Sequence, residues 1–182
     1  MNREEALAAV KRKISNQNLV KHMLATEAVM RALAEKFGED VDEWGLAGLL
    51  HDIDLDECNG DLTVHGRMSA DMARDMGVSE AVCHAILCHG MLGEPCQTLM
   101  DKALYCTDPV TGLITAGALI RPEKKLAVVQ TKSILKRFKE KSFAAGANRE
   151  QIAKCADIGL TLEEFIDLSL VAMQAISDDL GL

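Results

Sequence analysis

Apolar residues recur along this chain at the three- and four-residue spacing of amphipathic helices, and the alternation typical of β-strands is almost absent. In 17–37 the apolar stripe ends at Gly38, a residue suited to a helix C-cap. The segment 43–52 contains small residues that let another backbone approach closely, which predicts a buried central helix. The pattern predicts an all-α fold, with further helices at 63–76, 79–89, 99–107, 110–119, 124–140, 148–158 and 161–180.

Proline divides the middle of the chain in this interpretation. Proline lacks an amide hydrogen and disfavours helix at the residue before it, so Asp108-Pro109 is expected to separate two helices. Arg121-Pro122 is expected to end the second of them. The prediction is therefore two short helices, 99–107 and 110–119, where a single long one would otherwise be expected.

Length and composition favour one domain over 1–182, with a helical core at 17–120 and a helical extension at 121–182 that packs on it. Of the residues, 48% are hydrophobic but only 3% aromatic, so the core must be mainly aliphatic. The stretch MNREEALAAVKRKIS lacks the apolar run and cleavage site typical of a signal peptide, and no segment reaches the ~18 apolar residues of a membrane span. The six cysteines include no CxxC pair. We expect a cytoplasmic protein with reduced thiols and no membrane contact.

The charge distribution bears on possible partners. A formal net charge of −8 argues against nucleic-acid binding by the surface as a whole. The segment 121–141 is the exception, since eight basic and two acidic residues give it +6 and leave −14 on the rest. Such a run is commonly a solvated helix face. The alternative is an anion-attracting flank or a contact with a partner.

The five histidines are the informative polar residues. On helices of about 100° per residue, four of them share faces with apolar residues, whereas His84 lies about 140° from His89 and is expected at the surface. One buried imidazole alone is usually a core residue with a polar partner. Four of them with His51-Asp52 and Asp108 supply the nitrogen and carboxylate mixture that divalent transition metals accept. The candidate ligands are His22, His51, Asp52, His65, His89 and Asp108.

The order His22, then His51-Asp52, then Asp108 resembles the H…HD…D signature of the HD phosphohydrolase superfamily. The stretch LLHDIDLD resembles its HDIG subgroup, found in small bacterial HD-domain hydrolases. His65 in VHGRM and His89 in ILCHG lie where members with two metals have two further histidines. The resemblance implies a compact multi-helix HD bundle.

The resemblance also implies a ligand set. A first metal would be held by His22, His51, Asp52 and Asp108, and Asp52 would bridge to a second metal bound by His65 and His89. One or two divalent ions are expected, and Mn, Fe, Mg, Ni, Co and Zn all remain open. Two departures matter. Asp54 replaces the glycine of HDIG, and Pro109 leaves open that Asp108 merely caps 110–119.

The expected reaction is hydrolysis of a phosphate ester of a nucleotide or small metabolite by a metal-activated water. Asp52 and Asp54 are the catalytic candidates, with Asp56 and Glu57 as further acids for proton transfer. Two alternatives stay open: an iron oxygenase with the same ligands, and a non-catalytic signalling or scaffolding module that uses 121–141. Candidate phosphate contacts are Arg67, Arg121, Lys124 and Lys125.

Overall fold

The structure, a computed structural model, describes residues 1–59, 61–90 and 94–182. Within these ranges it contains α-helices and two short 3-10 segments, Leu126–Val128 and Lys154–Ile158, and no β-strand. The all-α prediction is confirmed. The helices are α1 (Arg3–Lys13), α2 (Gln17–Phe37), α3 (Val41–Leu50), α4 (Arg67–Asp75), α5 (Glu80–Gly90), α6 (Leu99–Leu119), α7 (Thr131–Phe138), α8 (Arg149–Ala153), α9 (Leu162–Ala175) and α10 (Ser177–Leu180).

Of two helices predicted with defined ends, one has the predicted bounds and the other begins later. Helix α2 has the predicted bounds and ends at Gly38, whose φ of +72° is the left-handed conformation expected of a C-cap glycine. Helix α4 begins at Arg67, later than the predicted 63, because Gly66 has a φ of +78°. A left-handed residue interrupts right-handed helical geometry. His65 therefore lies in a turn ahead of α4.

Helix α1 was not predicted from the sequence. It is short, with a mostly charged surface, and it begins with a capping box between Asn2 and Glu5. Its Arg3 guanidinium pairs with the buried Glu27 carboxylate of α2, at 2.5 Å from Nε to Oε1 and 3.0 Å from Nη2 to Oε2. This long-range ion pair and the buried apolar residues Ala6, Ala9 and Val10 attach α1 to the bundle.

The predicted break at Asp108-Pro109 is wrong, since α6 runs unbroken from Leu99 to Leu119. Pro109 cannot donate to the carbonyl of Tyr105 one turn earlier. That carbonyl instead accepts a hydrogen bond from Gln151 Nε2 of α8 at 2.8 Å. The side chain from a distant helix replaces the missing bond. Asp108 consequently lies in the middle of a helix and does not serve as an N-cap.

The core is largely aliphatic, as predicted, with Trp44 and Phe165 the aromatic side chains buried in it. Helices α2 and α3 pack closely, and α6 contacts α2, α5 and α8. Helix α9 of the C-terminal extension packs against α2 and α6. No helix in the described ranges has the length and apolarity needed to cross a bilayer.

Candidate metal centre

The close packing of α2 and α3 sets the position of the HD pair. A Cβ added at Gly48 would lie 2.8 Å from the backbone of Glu27, so only glycine permits this approach. His51 and Asp52 follow directly at the end of α3, and both are buried. His22, on α2, is thereby brought against His51.

Four of the predicted ligands converge at this contact. His22 Nε2 lies 3.1 Å from His51 Nε2 and 3.1 Å from Asp108 Oδ1. Asp52 Oδ2 lies 3.5 Å from His22 Nε2 and 3.3 Å from His51 Nε2. Asp108 Oδ1 is 3.8 Å from His51 Nε2. Helices α2, α3 and α6 thus bring two imidazoles and two carboxylates to one point.

The other two predicted ligands face the second oxygen of Asp52. His89 Nε2 lies 3.3 Å from Asp52 Oδ1, and His65 Nε2 lies 3.4 Å from the same atom. Glycines make this possible, because a Cβ on Gly90 would lie 2.9 Å from Gly66 Cα and 3.0 Å from His65 Cδ2. Asp52 therefore stands between two pairs of histidines, with one oxygen toward each pair.

Backbone carbonyls orient two of these imidazoles. His51 Nδ1 lies 2.8 Å from the carbonyl oxygen of Gly48, and His89 Nδ1 lies 2.6 Å from that of Ile86. A carbonyl oxygen only accepts hydrogen bonds, so both Nδ1 atoms must carry the hydrogen. In the neutral rings the lone pair is then on Nε2, the atom directed at Asp52.

Side chains orient the other two in the same way. His65 Nδ1 donates to Asp54 Oδ1 at 2.9 Å. His22 Nδ1 lies 3.0 Å from Thr111 Oγ1, whose hydroxyl donates to the carbonyl of Asp108 and is left to accept from the imidazole. All four rings therefore present an Nε2 lone pair. An oxygen acceptor behind each ligating histidine is the usual supporting arrangement of protein metal sites.

This arrangement has electrostatic consequences for the metal-free protein. Burial alone would lower the pKa of His22, but the Asp108 and Asp52 carboxylates outweigh it and raise that pKa to about 9. Burial of His51 is likewise outweighed by Asp52 and Asp108, which raise its pKa to about 10. Against burial, the histidines hold the pKa values of Asp52 and Asp108 below the usual range of a carboxyl group. Protons balance the carboxylates when no cation is bound.

The donor set fits a metal. Its convergent atoms are imidazole nitrogens with lone pairs and carboxylate oxygens, a combination that suits divalent transition metals. Two ligand groups, one of His22, His51 and Asp108 and another of His51, Asp52 and His89, have donor atoms within 4.8 Å of one another. A cation would satisfy the inward-facing acceptors that otherwise require protons.

The structure changes the interpretation of Asp54. Its carboxylate is fully buried, and its oxygens accept from His65 Nδ1 and, at 3.3 Å, from the Gly66 amide. A carboxylate occupied in this way orients His65, and the expected catalytic role of Asp54 stays a prediction. Of the neighbouring acids, Asp56 binds Ser15 and Glu57 pairs with Lys13, both at the surface.

The centre is open on one side. The His22 and Asp108 side chains are 23% and 30% exposed, whereas that of His51 is fully buried. A cavity of about 370 Å³ borders His22 and is also lined by Lys21 and Gly112. A second cavity of about 330 Å³ is lined by His22, Asp108 and Gly112. A substrate could therefore reach the centre from this side.

The four candidate phosphate contacts lie in two regions. Arg67 is exposed in the first turn of α4, two residues after His65. Arg121 lies thirteen residues beyond Asp108 past the end of α6, which at ~1.5 Å per residue is about 20 Å along the helix axis. Lys124 and Lys125 follow it. Phosphate binding by all four stays a prediction, and sequence reasoning did not single out Lys21, which lines the cavity beside His22.

The fold and the candidate site together define a class of protein: an all-helical bundle with a cluster of histidines and carboxylates suited to binding a metal. Comparison with known proteins identifies the family. The HD domain family model matches residues 19–110, and the chain belongs to that family. The match covers all six candidate ligands.

Curated relatives are similar over part of their length. Ribonuclease Y of Nitratidesulfovibrio vulgaris is 29% identical over 97 residues, which cover 53% of this chain and 18% of that protein. Ribonuclease Y of Chloroflexus aurantiacus is 28% identical over 137 residues, or 74% of this chain and 27% of the relative. The chain thus spans well under a third of each relative. No solved structure matches it significantly.

Proposed function

We propose that this protein is a metal-dependent phosphohydrolase whose centre is formed by His22, His51, Asp52 and Asp108, extended by His65 and His89. The observation that carries the proposal is the uniform orientation of the histidines, each with Nδ1 hydrogen-bonded to an oxygen and Nε2 directed inward. This arrangement supports metal binding because it directs lone pairs and carboxylates at one region. Membership of the HD family supports the hydrolase assignment.

The residues of the centre have different proposed roles. Asp52 has a different oxygen toward each histidine pair, so it is the residue suited to bridge two ions. When bound, such ions supply Lewis acidity and lower the pKa of a water to make it a nucleophile. Thr111 and Asp54 fix the tautomers of His22 and His65, and therefore act as positioning residues.

The substrate would approach from the side of His22 and Asp108, where these side chains are partly exposed. Lys21, at the cavity beside His22, offers a positive charge for a phosphate group there. A cavity of about 370 Å³ is at the lower end of the size range of small-molecule sites. We therefore favour a small phosphate ester, such as that of a nucleotide or metabolite.

RNA is the competing substrate, since the relatives are named as ribonucleases. The reaction class would be the same, but the bond cleaved would be a phosphodiester. The net charge of −8 disfavours general binding of a polyanion, because its field would repel the nucleic acid. We keep the HDIG subgroup as an interpretation of LLHDIDLD.

The test uses the full chain, stripped with a chelator and reloaded separately with Mn, Fe, Mg, Ni, Co and Zn. Each form is assayed against phosphomonoesters, nucleotides and short RNA, by phosphate release and by RNA cleavage. We expect metal-dependent release of phosphate from a small ester. The Asp52→Asn variant should lose both turnover and bound metal, whereas Asp75→Asn, at an exposed position on α4, should retain them.

The other outcomes are equally informative. RNA cleavage without hydrolysis of small esters would keep the reaction class and change the substrate. Turnover that requires dioxygen would replace the hydrolase with the oxygenase alternative. Bound metal without turnover of any kind would favour the non-catalytic module, and absence of metal binding at the centre would overturn the proposal.

A further inference from the structure

One wall of a cavity at the candidate centre is formed by the segment 143–147, which lies in the connection between α7 and α8. The cavity of about 330 Å³ that borders His22 and Asp108 is lined on this side by Ala144, Gly146 and Ala147. None of these three residues has a polar side-chain group. A polar contact between this wall and a substrate must therefore come from the backbone.

Arg149, the first residue of α8, binds the carbonyl groups of this segment on one side. Its guanidinium donates hydrogen bonds to the carbonyls of Ala144 at 2.9 Å, of Ala147 at 2.5 Å, and of Phe143. Further bonds reach carbonyls at the end of α7 and just after it, those of Phe138 at 3.2 Å, Glu140 at 3.4 Å and Arg137 at 3.5 Å. No carboxylate in the described part of the chain is paired with this guanidinium. Its main partners are therefore peptide groups.

The amide groups of the same peptides point the other way. In a planar trans peptide the carbonyl of one residue and the N–H of the next are directed oppositely. Since the carbonyls of Phe143 and Ala144 face Arg149, the N–H groups of Ala144 and Ala145 face away from it. Neither N–H has a hydrogen-bond partner among the described residues. The residue between the two N–H groups, Ala144, has a φ of +45°, a left-handed conformation uncommon for a residue other than glycine.

We propose that the N–H groups of Ala144 and Ala145 bind a phosphate oxygen of the substrate, and that Arg149 is the residue that positions them. Successive backbone N–H groups around a left-handed residue form a concave site for an anion. Ala144 lines the cavity and Arg149 is not among the described residues that do, so the N–H groups that face away from Arg149 face the cavity side. The inference rests on the proposed function, because it names how the substrate phosphate is held on this side of the centre.

The position of Arg149 suits this role. Its charge polarises the peptide groups that it binds, which makes their N–H ends more attractive to an anion. Helix α8 also carries Gln151, which donates to the Tyr105 carbonyl where Pro109 cannot. Pro109 lines the same cavity, one residue after Asp108. One short helix therefore fixes both the segment 143–147 and the part of α6 that carries Asp108.

Nuclear magnetic resonance of the isotopically labelled full chain, loaded with Zn²⁺, observes these amides directly. Inorganic phosphate, the product of the proposed reaction, is titrated at constant ionic strength. We expect the amide protons of Ala144 and Ala145 to shift downfield along one saturation curve, since a hydrogen bond to an anion deshields the proton. The backbone amide of Lys136, an exposed residue of α7, is the control for non-specific effects and should not shift.

Arg149→Lys tests the positioning role, because lysine keeps the charge but lacks the planar fork that reaches several carbonyls. The dissociation constant of phosphate and the KM for a phosphate ester should each rise about tenfold, the loss of roughly one charge-assisted hydrogen bond. The kcat and the metal affinity should change little, since the candidate ligands are carried by or lie next to α2 to α6. Arg74→Lys, which disrupts a surface ion pair with Glu80, is the matched control and should change none of these.

A second pair of variants does not depend on the folding of Arg149→Lys. Ala144→Gly keeps both N–H groups and favours a positive φ, so it should bind phosphate at least as tightly as the wild type. Ala144→Pro removes one N–H and cannot adopt a positive φ, so its phosphate affinity should fall about tenfold or more.

The outcomes separate this inference from the proposed function. Downfield shifts at Ala144 and Ala145 without turnover of any phosphate ester would keep the anion site and overturn the proposed function. Turnover with unshifted amides at these two residues would overturn the inference. A lower Tm in Arg149→Lys with wild-type phosphate affinity would also overturn it, and would leave Arg149 a structural role only.

Discussion

Replacing Asp54 by asparagine tests whether this residue positions His65 or transfers protons. The substitution preserves the shape of the side chain but removes its charge and one acceptor. In the wild type the two oxygens accept from His65 Nδ1 and from the Gly66 amide. The amide group in Asp54→Asn can satisfy only one of these donors, because its NH₂ must face the other. Either His65 loses its orienting partner or the Gly66 amide is left unpaired.

The expected size of the effect follows from this geometry. Loss of a residue that orients a ligating histidine typically weakens metal binding about 10–100-fold, or about 1.4–2.7 kcal/mol. An unsatisfied buried donor should also lower the stability of the metal-free protein by about 1–3 kcal/mol. Competition with a chelator of known affinity measures the first quantity, and urea unfolding measures the second. Asp56→Asn removes the same charge two residues away at the surface, and should change neither.

A double-mutant cycle makes the test specific. If Asp54 acts through His65, the variant with both Asp54→Asn and His65→Ala should bind metal no more weakly than His65→Ala alone. Additive losses would contradict a positioning role. A variant with wild-type metal affinity but no turnover would restore the catalytic role that the sequence suggested for Asp54.

Three further predictions concern pH, helix continuity and packing. The raised pKa values of His22 and His51 stabilise the metal-free fold fully below pH ~6.5, the pKa of an unperturbed histidine, and this contribution is lost as the pH rises through about 9 and 10. Metal must displace these protons, so the increase in Tm on adding metal should grow from pH 6 to pH 9, and a constant increase would contradict metal binding at these residues. Gln151→Met should lower the free energy of unfolding in urea by about 1–3 kcal/mol, because it leaves the Tyr105 carbonyl without its donor. The control is Gln174→Met, which removes a similar bond to the Leu126 carbonyl and should leave the near-ultraviolet spectrum of Tyr105 unchanged. Gly48→Ala should destabilise the protein by more than about 1 kcal/mol and weaken metal binding, since its Cβ would force α3 away from Glu27. Gly112→Ala should change neither stability nor metal binding, because a Cβ at Gly112 meets nothing within 4 Å.

Most of the fold class and the residues at the candidate centre could be predicted from the sequence. Helical periodicity depends on local spacing, so α2 was predicted with its bounds, and the apolar faces indicated which histidines turn inward. The order His22, His51-Asp52 and Asp108 indicated the family, which the match over 19–110 confirms. That these side chains bind metal remains a proposal.

Other features depend on contacts between residues far apart in the sequence, and only the tertiary structure decided them. Helix α6 continues through Pro109 because Gln151, more than forty residues later, supplies the missing hydrogen bond. Asp54 contacts His65 because the turn at Gly66 places that imidazole against its carboxylate. His84, expected at the surface from its helical face, contacts Asp101 because α5 and α6 pack together there. Periodicity indicates which face of a helix is apolar. The polar partner of a side chain, however, comes from whichever element packs against it, and only the tertiary fold determines which element that is.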